Sequence, residues 1–228
     1  MLETRSDEQE IMDDLNISGP VIAQTLKELN TINRTLGGNQ ISLSAFKHLT
    51  KNQKEITLAD LGCGGGDIMA EMARWANRAG KSAAFVGIDA NPHIIAYAKE
   101  NTSEYSEIDY EPLNIFTDEF RNKSYDIIHC CLFLHHFSTA QLVDLFKRFK
   151  QQARIGVIIN DLHRHALAYR SIQLLTRIFS KSEMVRNDAA VSVARGFKKS
   201  ELLHILKEAE ISNFDLQWKW AFRWKLTF

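Results

Sequence analysis

Residues 56–67 read ITLADLGCGGGD, and this stretch decides how the rest of the chain is interpreted. The mostly apolar run up to Leu61 predicts a strand, and the helix-period run at residues 68–79 predicts a helix. Glycine lets the backbone turn sharply and approach a ligand closely, because it has no Cβ. The first free N–H groups of the helix would point at whatever lies above this turn. The stretch therefore predicts a nucleotide-type binding site at the carboxyl end of a first strand.

The spacing of the glycines distinguishes between classes of nucleotide site. A dinucleotide fingerprint needs its third glycine at position 67, where this chain has Asp67. The glycines instead stand at positions 62, 64 and 66, and Asp60 precedes the first of them by two residues. An acid there would repel a pyrophosphate but suits a cationic ammonium or sulfonium group. A phosphate-binding P-loop is excluded, because no Gly-Lys-Ser/Thr follows.

Asp60, Gly62, Gly64 and Gly66 together resemble the first motif of the class I S-adenosylmethionine-dependent methyltransferases. The resemblance covers roughly residues 40–215 and is to the small-molecule branch, which includes quinone-type enzymes. It implies a Rossmann-like α/β fold, with a seven-stranded, mostly parallel sheet whose last strand runs antiparallel. It also implies S-adenosyl-L-methionine as the cofactor and S-adenosyl-L-homocysteine as the product.

The amino-acid composition limits the classes of protein to which the chain can belong. The chain has 228 residues, 45% of them hydrophobic, with 28 basic and 28 acidic residues and a formal net charge of zero. This balance argues against a broad nucleic-acid footprint, and no apolar run approaches the ~20 residues of a membrane span. Three cysteines, two of them adjacent, form no disulfide framework and favour a cytoplasmic location. The polar, acidic start predicts no signal peptide.

The order of elements predicts an α/β domain. We expect a solvated arm at residues 1–19, helices at 20–36 and at 42–49 with Ser42 as N-cap, and then alternating strands and helices. The expected strands are 56–61, 83–89, 108–113, 125–130 and 155–159, and the expected helices are 67–79, 92–101, 139–149 and 199–209. A hairpin of strands 211–217 and 220–226 ends the chain. Continuous apolar strands in this alternation predict a parallel sheet covered on both faces.

Two segments are expected to cover the site. Residues 1–50 are interpreted as an N-terminal helical lid, and residues 51–228 as the cofactor-binding domain. Within that domain, residues 161–197 interrupt the alternation and are interpreted as a substrate cap, with a helix at 166–179 and an irregular stretch at 180–196. A long insertion at the carboxyl edge of a sheet is usually functional.

The resemblance gives the first motif its roles. The backbone of Gly62, Cys63 and Gly64 would line the methionine part of the cofactor, and Asp60 would attract its ammonium group. Asp89, which ends the second strand, would accept hydrogen bonds from the ribose hydroxyls. The alternative for Asp89 is a helix N-cap.

Residues after the next strands complete the expected cofactor site. Ala90 would lie beside the adenine, Asn114 would bind its amino group and the N–H of Ile115 its ring. An asparagine of an ordinary turn remains the alternative for Asn114. Cys131 would line the methyl-donating end of the cofactor.

The segment from Ser124 to Phe137 resembles the fourth motif of small-molecule methyltransferases and supplies the catalytic candidates. His136, His135 and Asp161 could each remove a proton from an acceptor hydroxyl, since histidine titrates near neutral pH. The alternative is that the histidines pack the strand–helix junction and the edge of the cofactor, and His136 is the better candidate for contact with the site. His163, Arg186 and Arg195 are the substrate-binding candidates, with ion pairs that hold the cap as the alternative for the arginines. No metal site is expected.

Three functions remain in competition at this stage. The first is methyl transfer to a small acceptor, in particular O-methylation of a hydroxylated aromatic or lipid-like metabolite. The second is a nicotinamide-dependent oxidoreductase, which the third glycine position and Asp60 disfavour. The third is an inactive methyltransferase fold that acts as a partner protein. Trp218, Trp220, Phe222 and Trp224 leave room for a homodimer or partner surface, although such alternation more often packs a core.

Overall fold

Seven strands form one sheet in the order β3-β2-β1-β4-β5-β7-β6 in the computed structural model, which describes residues 2–228. The strands are β1 (Glu55–Leu61), β2 (Ser82–Asp89), β3 (Ile108–Pro112), β4 (Tyr125–Cys131), β5 (Ala153–Leu162), β6 (Asp215–Lys219) and β7 (Arg223–Thr227). Strands β1 to β5 pair in parallel, and β7 runs antiparallel to both β5 and β6. The predicted fold class, with its antiparallel last strand, is confirmed.

Nine helices accompany the sheet in the described part of the chain. They are α1 (Pro20–Thr35), α2 (Gly38–Leu49), α3 (Asp67–Arg78), α4 (Pro92–Asn101), α5 (Asp118–Arg121), α6 (Thr139–Gln152), α7 (Ala166–Phe179), α8 (Glu183–Arg195) and α9 (Lys199–Glu208). Two short 3₁₀ turns, Ile11–Asp13 and Leu134–His136, lie beside the site. Over residues 2–228, no helix combines the length and the apolar character that crossing a lipid bilayer requires.

Alternate residues of the central strands belong to two separate cores. Leu58 packs with Phe46 of α2 and Met69 of α3, whereas Leu61 packs with Phe146 of α6 and Leu202 of α9. Because successive side chains of a strand point to opposite faces, the sheet is covered on both faces, as predicted. This arrangement leaves the carboxyl edge of the parallel strands free for a site.

Three predicted elements were wrong at the N-terminal side. Residues 2–13 are no solvated arm, because Arg5 donates to the carbonyl oxygens of Arg195 and His135, at 2.9 and 2.8 Å. Helix α2 begins at Gly38 and not at Ser42, since Gly37 in the left-handed region (φ 76°) links it directly to α1. Ser42 is buried inside this helix, where its hydroxyl lies 2.8 Å from Nε2 of His129.

The stretch expected to be irregular, 180–196, contains helix α8. Nine of the thirteen residues of α8 are buried, so it lacks the apolar stripe by which a surface helix is recognised in a sequence. The hydroxyl of Ser182 accepts the N–H of Val185 and caps the helix. The strands of the final hairpin begin later than predicted, at Asp215 and Arg223. The turn between them begins at Trp220, and Ala221 and Phe222 in it have positive φ.

Candidate active site

A cavity of about 630 Å³ opens at the carboxyl edge of the sheet. Its floor is the glycine turn after β1 together with the residues that follow β2, β3 and β4. Its walls come from the N-terminal segment, α1, α7, α8 and the turn between β6 and β7. Small-molecule sites have this size and occur at this edge of α/β sheets.

The glycine turn presents backbone to the cavity. Gly62 and Gly64 have φ angles of 67° and 52°, and both line the cavity with Cys63 between them. A Cβ on Gly62 would lie 2.2 Å from a ring carbon of Phe133, so only glycine fits there. Burial raises the pKa of the Cys63 thiol well above its usual range. The turn is therefore inert chemically and offers its peptide groups to a ligand.

Asp60 lies outside the cavity wall. Its carboxylate is buried and accepts a hydrogen bond from Nδ1 of His129 at 2.6 Å. On the other side of the ring, the Ser42 hydroxyl also accepts the side-chain N–H of Asn160 at 3.0 Å. This chain of polar groups ties α2 to β1, β4 and β5, which makes Asp60 a structural anchor beneath the turn.

Asp89 lies in the cavity wall at the end of β2, beside Ala90. Burial raises the pKa of its carboxyl to about 6, against the effect of hydrogen bonds from the backbone of Asn91 and Gly64. Asn91, and not Asp89, caps helix α4, since its Oδ1 accepts the N–H of His93. Oδ1 of Asp89 accepts the N–H of Asn91 at 2.9 Å, a bond that orients the carboxylate in the cavity wall.

Asn114 and Ile115 line the same cavity beyond β3. Oδ1 of Asn114 accepts the N–H of Phe116 at 2.9 Å, which is the local bond of a turn asparagine. The turn interpretation therefore holds in this structure, and the side-chain amide nitrogen is the part of Asn114 left to face a ligand.

Cys131 and Arg223 line the cavity between the glycine turn and the cap. Burial raises the pKa of the Cys131 thiol to about 12, so it stays neutral. Arg223 is 3% exposed, and its Nη2 donates to Oδ1 of Asn33 at 2.7 Å while its Nε is buried without a partner. None of the ion pairs among residues 2–228 includes Arg223. The sequence analysis missed it, because a strand arginine near the end of the chain carries no motif.

The three catalytic candidates have different environments. His136 lines the cavity, and its Nδ1 donates to Oδ1 of Asp13 at 2.6 Å. His135 is 2% exposed and donates from Nδ1 to Oδ1 of Asp161 at 2.7 Å. Asp161 is buried and also accepts the N–H of Leu134, so it positions His135 and does not reach the cavity.

His135 is further flanked by an acid that the sequence analysis did not select. Its Nε2 lies 3.2 Å from Oε1 of Glu10, and both Glu10 and His135 border the cavity. Burial alone would lower the pKa of His135, but Asp161 and Glu10 outweigh it and raise the pKa to about 9. In the structure as it stands, His135 is therefore a cation at neutral pH and lacks the free lone pair of a general base.

The three substrate candidates do not line the cavity. His163 accepts the indole N–H of Trp218 at 3.1 Å, and Arg186 donates to the carbonyl oxygen of Ser180. Arg195 pairs with Asp13 at 2.7 Å and donates to the carbonyl oxygen of His136. Arg195 thus forms an ion pair that holds the cap, which is the alternative role considered for it, and its partner is Asp13.

The part of the cavity under the cap is apolar. Three faces meet there, from α1, from α7 and from the turn of the β6–β7 hairpin. The residues are Leu29 and Ile32 of α1 with Leu36 just after it, Ala168, Ile172 and Leu175 of α7, and Trp220 and Phe222 of the turn. Ser171 of α7 adds a hydroxyl among these residues, and Arg223 and His136 are among the charged or polar residues of the same cavity. We call this region the apolar lobe.

Comparisons with known proteins agree with this geometry. The family described as a methyltransferase domain matches residues 58–156. This match spans less than half of the chain, and together with the strand order it supports the resemblance to class I methyltransferases seen in the sequence. No curated protein is similar enough in sequence to match the chain.

Solved structures of methyltransferases share the fold at low sequence identity. A plantazolicin methyltransferase in complex with a substrate analogue and S-adenosylhomocysteine is 14% identical, covering 91% of this chain and 88% of that one, with a TM-score of 0.65. The magnesium protoporphyrin IX methyltransferase of Synechocystis PCC 6803 is 15% identical, covering 85% and 83%, with a TM-score of 0.56. A carbon methyltransferase, CurJ, is 13% identical, covering 77% and 48%, with a TM-score of 0.57. At these identities the likeness shows the fold alone.

Proposed function

We propose that this protein transfers a methyl group from S-adenosylmethionine to a hydroxyl of a small aromatic or lipid-like acceptor. The observation that carries the proposal is that the glycine turn, Asp89 and the Asn114–Ile115 turn all open on one cavity, which continues into the apolar lobe. A cofactor with an amino-acid part, a ribose and an adenine needs backbone groups, a carboxylate and a turn in this succession. The apolar lobe then suits an acceptor with a hydrophobic body.

Asp67 speaks against the nicotinamide alternative. It stands where the dinucleotide fingerprint has its third glycine, and it lines the cavity with Oδ1 2.6 Å from the side-chain nitrogen of Asn30. A carboxylate there would meet the pyrophosphate of a dinucleotide. A sulfonium compound has no such group, so the same carboxylate is compatible with it.

The chain's residues have a limited task in this reaction. When bound, S-adenosylmethionine supplies a methyl group that is already activated on a positively charged sulfur. The walls of the cavity align the acceptor oxygen with that carbon, and alignment of this kind is worth roughly 7–11 kcal/mol of the barrier. The acceptor oxygen would lie near Arg223, which lines the cavity and whose positive charge would attract an oxygen that carries negative charge. His136 is the catalytic candidate that faces this space.

The proposal is tested first on the cofactor, by isothermal titration of the purified protein with S-adenosylhomocysteine and with NAD. We expect S-adenosylhomocysteine to bind at one site and NAD to give no heat. Asp89→Asn should weaken binding at least about tenfold, since hydrogen bonds to a charged group contribute about 1.5–3 kcal/mol each. Asp109→Asn, on an exposed residue of the neighbouring strand, is the matched control and should leave binding unchanged. Binding of NAD alone would overturn the proposal.

The acceptor is tested with isotope-labelled methyl donor and a panel of phenols, aliphatic alcohols, amines and carbon acids. We expect label in the phenols and a loss of transfer when the phenolic oxygen is already methylated. Label confined to amines or carbon acids would leave the cofactor assignment intact and refute O-methylation.

A further inference from the structure

Three side chains from two distant parts of the chain meet at the cavity wall. Glu10 comes from the N-terminal segment, and His135 and His136 come from the turn after β4. Each offers one ligand atom, and these atoms all lie within 4.8 Å of one another. All three residues border the cavity. The sequence analysis expected no metal site, and it could not bring these three side chains together because Glu10 lies far from the histidines in sequence.

Both histidines are oriented so that Nε2 is the atom available to a metal ion, which on binding would displace the Nε2 proton that His135 otherwise carries. Nδ1 of His135 donates to Asp161 at 2.7 Å, and Nδ1 of His136 donates to Asp13 at 2.6 Å. A carboxylate on Nδ1 fixes the ring and places the available lone pair on Nε2, as it does for most metal-binding histidines. The two Nε2 atoms both lie on the side of Glu10, at 3.2 Å from Oε1 and 3.9 Å from Oε2.

Two buried atoms in this cluster face each other at 3.2 Å but form no hydrogen bond of good geometry with any group of residues 2–228. They are Nε2 of His135 and Oε1 of Glu10, on residues that are 2% and 8% exposed. Buried polar atoms are rarely left without a partner. In a tetrahedral Zn²⁺ site with metal–ligand distances of about 2.0–2.2 Å, neighbouring ligand atoms lie about 3.3–3.6 Å apart. The two distances from the histidine Nε2 atoms to the Glu10 oxygens, 3.2 and 3.9 Å, lie on either side of this range.

Three carboxylates, on Glu10, Asp13 and Asp161, surround the two histidines, with Arg195 and Arg5 nearby. Asp13 and Asp161 each accept a hydrogen bond from an Nδ1, whereas Glu10 is the carboxylate on the Nε2 side, with its Oε1 3.9 Å from Nη1 of Arg195. Two imidazoles and one carboxylate form a nitrogen–oxygen donor set that suits Zn²⁺ and similar divalent transition metals and does not suit Mg²⁺, which prefers oxygen ligands alone.

We propose that Glu10, His135 and His136 bind one Zn²⁺-like divalent metal ion, with an open coordination position directed into the cavity. Three protein ligands and one open position are typical of a metal that takes part in chemistry. Water or an oxygen of the acceptor would fill the open position, a point that rests on the proposed function. Metal binding itself does not depend on methyl transfer, so the two proposals can fail separately.

The test measures metal binding without cofactor or acceptor. Tag-free full-length protein is treated with a chelator, dialysed, and titrated with Zn²⁺ in competition with a chromophoric chelator. Co²⁺ is then added in place of Zn²⁺, and its visible absorption reports whether the coordination number falls below six. We expect one ion per chain and the intense visible bands of four- or five-coordinate Co²⁺.

Variants locate the site. Glu10→Gln and His136→Gln should each weaken Zn²⁺ binding at least tenfold and abolish the visible bands. His204→Gln, which removes an exposed histidine of α9, is the matched control and should change neither. His136 is the more exposed of the two histidines, so its variant keeps the test available if Glu10→Gln fails to fold. Absence of binding, or equal binding in all variants, would overturn the proposal and leave His135 as an imidazolium between two carboxylates.

Discussion

The raised pKa of Asp89 links the stability of the protein to the binding role proposed for this residue. Its carboxyl is half-buried at the cavity wall, and burial raises its pKa to about 6. A carboxyl with a raised pKa favours the protonated form in the folded protein, so the ionised form reduces the stability of the ligand-free protein as pH rises toward 6. The ribose hydroxyls of the proposed cofactor need the ionised form, because it accepts two hydrogen bonds.

The affinity for S-adenosylhomocysteine should therefore fall as pH falls. With a pKa of about 6 and binding by the ionised form alone, the affinity drops about tenfold between pH 7 and pH 5. Isothermal titration at several pH values measures this. In Asp89→Asn the affinity should be low and independent of pH over the same range. A wild-type affinity that stays constant down to pH 5 would show that Asp89 does not bind the ligand as an anion.

Gly62 and Gly64 allow a matched comparison within the turn. Both have positive φ, where a side chain costs about 1–2 kcal/mol, but their surroundings differ. A Cβ on Gly64 meets nothing closer than Leu26 at 3.7 Å, whereas a Cβ on Gly62 would meet the Phe133 ring at 2.2 Å. Steric conflict of this kind typically adds about 1–3 kcal/mol.

We expect Gly64→Ala to lower the free energy of unfolding by about 1 kcal/mol and Gly62→Ala by about 2–4 kcal/mol. Urea denaturation measures both values. Phe133→Ala combined with Gly62→Ala should cost less than the sum of the two single substitutions, because the ring that clashes is gone. Strict additivity, or equal losses at the two glycines, would contradict the geometry of the turn.

Among the residues of the cavity, those that directly follow a strand could be predicted from the sequence. Residues that reach the cavity from other parts of the chain could not. Asp89, Asn114 and Cys131 stand in the cavity wall because a strand end fixes their place. Asp60 has the same kind of position but is turned inward by His129, a neighbour visible only once β1 and β4 are paired. Glu10 and Arg223 reach the cavity through tertiary contacts that leave no local pattern.

Helix α8 and the N-terminal segment are one unit at the scale of elements. Oδ1 and Oδ2 of Asp188 accept the N–H groups of Ile11 and Met12, at 2.8 and 3.0 Å. Arg195, at the other end of α8, pairs with Asp13. These contacts place Glu10 and Asp13 against the histidines, and so the cap and the N-terminal segment shape the cavity together.

Asp188→Ala should release the N-terminal segment without unfolding the sheet. It removes the acceptor of two partly buried N–H groups, and each such hydrogen bond typically contributes about 0.5–1.5 kcal/mol. Hydrogen exchange followed by mass spectrometry should show faster exchange in residues 2–14 and unchanged exchange in β1 and β4. Asp7→Ala, on an exposed residue of the same segment, is the control and should change neither. Unchanged exchange at the N-terminus would mean that other contacts hold this segment.

Elements with a clear period or cap were predictable, and elements defined by packing were not. Helix α4 lies at its predicted bounds, because Asn91 and Pro92 mark its start. Helix α7 also lies where expected, although only Ala168 and Thr176 of it are buried. Helix α8 was missed, since burial on nearly all sides removes the contrast between faces that the prediction depends on.

The apolar lobe is a property of the whole molecule. Helix α1 precedes the sheet, α7 follows β5, and the turn with Trp220 and Phe222 joins the last two strands, yet all three face one space. Such a space forms only after the sheet has closed, and a local pattern therefore cannot indicate its shape. Its depth beyond the glycine turn sets how long an acceptor can be.

Acceptor length should therefore control the reaction. In a series of phenols with longer and longer linear alkyl chains, each added CH₂ buried in the lobe contributes about 0.8 kcal/mol, or roughly a fourfold gain in kcat/KM. The gain should stop when the lobe is full.

Ala168→Phe fills part of the lobe and should move this limit to shorter chains. Ala166→Phe adds the same ring to the exposed start of α7 and should leave the limit unchanged. Because both variants carry one extra phenylalanine in the same helix, a difference between them reports the occupied space and not a general loss of stability. Equal behaviour of the two variants, or a kcat/KM that does not depend on chain length, would place the body of the acceptor outside the lobe.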